Sequence, residues 1–246
     1  MIEAFDISAF MGAFCRAVGM LFFLPLSMTM ISVLFRFGLG LMLALIGLLW
    51  GGSPGDTPYV FEVLIGIVLA LPFLLGHQLI SGWGELLDTQ RGQSFGFFYD
   101  STGGEQSLPT AQLLGWLFFA VAAASGAFAL LIFNYLQSFR IVRTELVTFA
   151  GLGEVIFPVV LATLSQTFML FLPLACLFVL VDFLFGIVSR FAPGSLVQGE
   201  AFLLKSLFGL SVVYLAFGSS ELLIWLQSLA VMPLETLFPE TLIDLS

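Results

Sequence analysis

The chain has 246 residues, of which 60% are hydrophobic and only 9% charged, with 7 Lys+Arg against 16 Asp+Glu and a net charge of −9. An ordinary soluble domain carries about 25% charged residues, so this composition cannot cover a water-facing surface and excludes a soluble monomer. It also excludes disorder, which needs low hydrophobicity, and nucleic-acid binding, which needs clustered Lys and Arg.

Six apolar stretches are long enough to read as membrane-spanning helices. The first runs from Ile7 to Leu24 and ends at Pro25. The second runs from Ile31 to Trp50 and stops at a run of turn formers, Gly51-Gly52-Ser53-Pro54-Gly55-Asp56. The third covers Val63 to Trp83 with Pro72 inside, and the fourth, Leu113 to Phe133, holds no charge. The fifth, Val155 to Val188, contains Pro158, Pro173 and Asp182 and is too long for one straight crossing, which predicts a kink or break near Pro173. The sixth runs from Leu203 to Met232 with Glu221 inside. No strand alternation competes, so the expected fold is all-α, a single unit over residues 1–246. Six spans with both termini outside place Arg36, Arg91, Arg190 and Lys205 in inner loops and Arg140 and Arg143 in outer ones, a weak positive-inside bias.

Polar groups inside apolar stretches carry the most information. Arg16, Glu62, His77, Asp182 and Glu221 would each cost a few kcal/mol facing lipid at mid-depth. They read either as ion pairs between helices or subunits, or as a proton or ion relay through Asp182, Glu221 and His77 in a self-contained transporter. His77 is the only histidine, and Cys15 and Cys176 stand apart in apolar surroundings, so no metal or redox centre is predicted. No nucleophile, phosphate-loop or dinucleotide motif is present, and no cofactor or enzymatic activity is expected. One loop, from Glu85 to Leu108, stands out because Phe95, Phe97, Phe98 and Tyr99 lie there among Gly and polar residues. An apolar cluster of this kind can tuck against neighbouring helices or close a pore by excluding water.

Four segments in order resemble one family, the T/R component of the type III secretion and flagellar export gate (SctT/FliR). They are Cys15-Arg16-Ala17 through Leu24-Pro25 to Arg36; Phe61-Glu62-Val63-Leu64-Ile65-Gly66; Gly84-Glu85-Leu86-Leu87-Asp88-Thr89-Gln90-Arg91-Gly92-Gln93-Ser94; and Asp182 to Gly186 followed by Ser189-Arg190-Phe191-Ala192-Pro193 and Lys205-Ser206. The match extends from Arg16 to Leu207, and the Arg91-Gly92-Gln93-Ser94 form leans to the injectisome branch. Gly194-Ser195-Leu196 replaces the family's Gln-Leu-Asn, and no Pro follows Ser138-Phe139.

The resemblance implies a structural, pore-forming subunit of packed, kinked helical hairpins, at or in the bacterial inner membrane. It implies assembly with R-type and S-type gate subunits, a U-type switch protein around the closed gate, and unfolded substrates passing through the centre. Within that frame Phe95, Phe97, Phe98 and Tyr99 form a candidate pore plug. Arg16, Arg36, Glu62, Asp88, Gln90, Arg91, Asp182, Arg190 and Lys205 are candidate subunit or helix contacts.

Overall fold

In a computed structural model the chain is described at residues 6–25, 30–51, 58–90, 98–99, 106–141, 149–191, 207–209, 211, 214 and 220–237. The ordered elements are helices: α1 (Ile7–Phe23), α2 (Met30–Gly51), α3 (Tyr59–Gln90), α4 (Pro109–Ala124), α5 (Ala127–Ile141), α6 (Phe149–Phe191) and α7 (Ser220–Leu237). The all-α expectation holds. Among the described residues the one exception is a two-residue antiparallel pair, β1 (Phe98–Tyr99) with β2 (Gln106–Ser107), in register Phe98 to Ser107.

Several boundaries differ from the sequence expectation. The uncharged fourth stretch is two helices, broken at Ser125–Gly126, where Gly126 adopts φ +76 and its N–H bonds the Ala123 carbonyl at 3.3 Å. A left-handed residue just past the last turn is a standard helix stop, and glycine adopts it without steric cost. The fifth stretch, by contrast, is unbroken through Pro158 and Pro173 over the 43 residues of α6. Among the described residues, Ser32–Trp50, Tyr59–Thr89 and Phe171–Val188 are long and apolar enough to span a bilayer, with a fourth span if α4 and α5 form one broken crossing. Six apolar stretches were expected over the whole chain. Helix α1, at 17 residues, is a shorter apolar helix, and much of the sixth stretch lies outside the described residues.

The chain divides into two compact units. The first comprises Met1–Gly76, Ala123–Thr163 and Leu226–Ser246, the second His77–Ala122 and Leu164–Trp225. In the first, α1 presents a small-residue face of Ala9, Gly12, Ala13, Ala17 and Gly19, all buried. That face lets backbones meet: a Cβ on Gly19 would strike the Val63 carbonyl, and one on Gly66 would strike the Arg16 carbonyl and reach Met20 N at 2.8 Å. Close approach through small residues is how apolar helices associate where no hydrophobic driving force separates them from lipid. Leu69, Phe73, Leu131 and Tyr135 fill the remaining core of this unit.

In the second unit, α3 and α4 pack as closely. A Cβ on Gly84 would lie 2.7 Å from Ala111 N, and one on Gly115 would lie 3.1 Å from His77 Nε2. Ile80, Leu87, Leu114 and Phe118 are buried there, and Trp83 stacks on Phe171 with ring centroids 5.4 Å apart.

Candidate functional site

Among the described residues, a fully buried polar cluster joins α1, α3 and α5. Arg16 and Glu62 are both fully buried. Arg16 Nε donates to Glu62 Oε2 at 2.7 Å, and Nη2 approaches the same oxygen at 2.7 Å as an ion-pair contact. Nη1 donates to Ser138 Oγ at 2.8 Å, and that hydroxyl donates to the Tyr135 carbonyl at 2.6 Å. The Tyr135 hydroxyl donates to the Ala13 carbonyl at 3.0 Å, and the guanidinium carbon lies 4.3 Å from the centre of the Phe139 ring. Glu62 also sits in the first turn of α3, where a negative charge is favoured by the helix dipole. The structure therefore narrows the expectation for Arg16 and Glu62 to a contact between helices of this chain.

Other polar residues satisfy helix ends. Asp6 Oδ1 accepts from the Ser8 amide at 3.0 Å and the Ala9 amide at 3.3 Å, capping α1. The Ser8 hydroxyl, with those two amides, holds the Asp6 carboxyl below its ordinary value. Arg36 is buried within α2 and not in a loop; its Nη1 donates to the Phe22 carbonyl at 3.2 Å in the last turn of α1. Arg140 Nη2 donates to the Trp50 carbonyl at 2.9 Å at the end of α2. Gln227 Nε2 donates to the Ser125 carbonyl at 3.0 Å beside the α4 stop. Asp88, fully buried, caps the start of α4 from α3: Oδ2 accepts from Thr110 N at 2.8 Å and Oδ1 from Thr110 Oγ1 at 2.5 Å. Helix ends leave unpaired amides and carbonyls, and an apolar medium supplies no water for them. In this chain neighbouring side chains supply the partners.

This arrangement yields an expected result for Asp88. Asp88→Ala removes both acceptors and leaves a buried amide at the start of α4, at a cost of about 1–3 kcal/mol. Asp88→Asn keeps an acceptor for that amide and is expected to lose less. Thermal unfolding of the two variants checks the order; equal stability of Asp88→Ala and the parent would contradict it.

The remaining sequence candidates are placed unevenly. Asp182 and Arg190 are exposed on α6. Phe98 and Tyr99 form β1, while Phe95, Phe97, Arg91, Lys205 and the side chains of Gln90 and Glu221 lie outside the described residues. His77 sits between Phe118 and Phe119, with ring centroids 5.6 and 5.2 Å away. Among the described residues no three His, Cys, Asp or Glu side chains gather as metal ligands. Ser138, Tyr135, Thr110 and Asn134, which bonds the Ala230 carbonyl, were not singled out by sequence; nothing local marks residues whose partners lie up to 122 positions away.

Residues 7–229 match the family described as bacterial export proteins, family 1. The chain belongs to this family. Two curated relatives, the surface presentation of antigens proteins SpaR of Shigella sonnei and Shigella flexneri, are each 26% identical to it, covering 83% of this chain and 83% of theirs. With its long apolar helices, this member of the bacterial export family is a multi-pass inner-membrane subunit of a type III secretion export apparatus. As a structural component of that apparatus it forms a complex with other subunits.

Proposed function

We propose that the chain is a non-enzymatic, pore-forming subunit of the export gate. It assembles with R-type and S-type subunits, passes unfolded substrates across the inner membrane, and is wrapped by a U-type switch protein when closed. The observation that carries this reading is the division of labour among side chains. The buried polar groups of α1 to α5 bond helices to one another, while large apolar side chains such as Leu49 (89% exposed), Met169 (76%) and Phe191 (81%) stand at the surface. Such a surface suits burial by lipid and by other subunits. The two SpaR relatives support the injectisome branch.

The loop bearing Phe95, Phe97, Phe98 and Tyr99 is proposed as the plug of the pore. Its described part supports this only at the base, where the β1–β2 pair draws Phe98–Tyr99 against Gln106–Ser107. Deleting Phe95 to Tyr99 is expected to raise ion conductance through assembled gates, because an apolar constriction that excludes water is lost. Unchanged conductance in correctly assembled complexes would refute the plug. In a self-contained transporter, substitution of His77, Asp182 or Glu221 would instead abolish proton-coupled flux by the isolated chain.

A further inference from the structure

Within the first unit, α2 packs on α1 through Gly40 and on α5 through Gly47, where an added Cβ would lie 3.4 Å from Phe14 and 2.9 Å from Phe139. Elsewhere it exposes Leu41, Leu45 and Leu49, which stand in one row at i, i+4 and i+8. The row rises about 12 Å and ends beside Trp50, which is also exposed. The apolar span Ser32–Trp50 stops here, and the next, Tyr59–Thr89, begins after a short connection. A connection that short keeps Trp50 and Tyr59 on the same side of the membrane, and Tyr59 is exposed too. Trp and Tyr at the ends of spans sit at the depth of the lipid headgroups.

Arg140 stands at the same level. It is exposed, in the last turn of α5, and its Nη2 donates to the Trp50 carbonyl at 2.9 Å. That carbonyl is one of the acceptors a helix end leaves over. The bond fixes the guanidinium at the head of the apolar row. A guanidinium carries five N–H donors in a planar fork that matches phosphate oxygens, and the carbonyl takes one of them. Among the described residues of this unit Arg140 is the exposed cation, since Arg16 and Arg36 are buried. The connections that follow α2 and α5 add Asp56, Arg143 and Glu145 to the sequence, one cation against two anions. A broad positive field is therefore not what draws a ligand here; the directed donors of Arg140 are.

We propose that the end of α2 binds one phospholipid, with its phosphate on Arg140 beside Trp50 and an acyl chain along Leu49, Leu45 and Leu41. The site needs only the inner-membrane placement of the chain, so it stands or falls apart from the gate reading.

Photolabelling tests it. Phosphatidylethanolamine with a photoreactive acyl chain is added to the chain extracted in mild detergent, together with whatever subunits accompany it, and labelled peptides are mapped. The segment Leu41–Trp50 is expected to label saturably. Unlabelled phosphatidylethanolamine should compete, whereas diacylglycerol, which lacks the phosphate, and inorganic phosphate, which lacks the chains, should not at the same concentration. Arg140→Gln keeps a donor for the Trp50 carbonyl but loses the charged fork, and should lower labelling of this segment about tenfold or more. Labelling elsewhere on the chain is the internal reference. The competition series uses the unaltered protein, so it decides the matter even where the variant fails to fold. No labelling of the segment, as a covering subunit would give, overturns the proposal. So do equal competition by diacylglycerol, competition by inorganic phosphate alone, or labelling indifferent to Arg140→Gln.

Discussion

Glu62→Leu is expected to destabilise the folded chain by about 3–5 kcal/mol, because it strands the fully buried Arg16 guanidinium without its counter-charge. Ser138 and the Phe139 ring remain as partners, but neither carries a negative charge. Marginal stability of folded proteins makes a loss of that size enough to deplete the chain from the membrane. The double variant Arg16→Met/Glu62→Leu removes both charges and keeps the volume, so it is expected to recover most of the loss. Arg16→Lys alone, with Glu62 retained, should also destabilise, since an ammonium cannot hold Glu62 and Ser138 in the forked geometry seen here. Chain abundance in membranes and thermal unfolding in mild detergent read all three. A Glu62→Leu chain as stable as the parent, or a double variant worse than the single one, would contradict the account.

The second large effect is expected at Gly66. A methyl group there meets the Arg16 carbonyl and lies 2.8 Å from Met20 N, and both are backbone atoms that cannot swing aside. Alanine gains about 0.8–1.0 kcal/mol of helix propensity over glycine. Overpacking costs typically 1–3 kcal/mol. Here the clash also pushes α1 from α3 beside the Arg16–Glu62 pair. The clash therefore decides the sign: Gly66→Ala should destabilise by about 1–3 kcal/mol, and Gly66→Leu should prevent accumulation. Gly38→Ala, where no atom lies within 4 Å of the added carbon, is expected to be neutral or slightly stabilising. Equal behaviour of Gly66→Ala and Gly38→Ala in thermal unfolding would show that the α1–α3 approach is looser than it stands here.

Much of this was legible in the sequence, and the rest was hidden for identifiable reasons. The starts and stops of α1 and α2 follow from local signals, an apolar run ended by Pro25 and another ended by a Gly-rich turn. The Ser125–Gly126 break also had a local signal, but it sat in a stretch without charge and uniform hydrophobicity masked it. Pro173 was the opposite case. Proline removes one amide from the ladder, yet α6 is helical on both sides of it, from Phe149 to Phe191. Arg16 and Glu62 stood out as ionisable groups in apolar runs, yet a separation of 46 positions gave no hint that they pair with each other. Asp88 was likewise marked by its motif, while its role as a cap depends on where α4 begins, 21 residues later. Polarity in an apolar stretch thus flagged the residues, and only three-dimensional packing supplied their partners.

On this reading the chain is one subunit of a hetero-oligomeric export gate. Native mass spectrometry tests it most directly, on the tagged chain expressed with its neighbouring membrane genes and extracted in mild detergent. One copy of the chain bound to several copies of two smaller hydrophobic proteins is the predicted result. A monodisperse monomer or homo-oligomer would contradict a hetero-oligomeric gate.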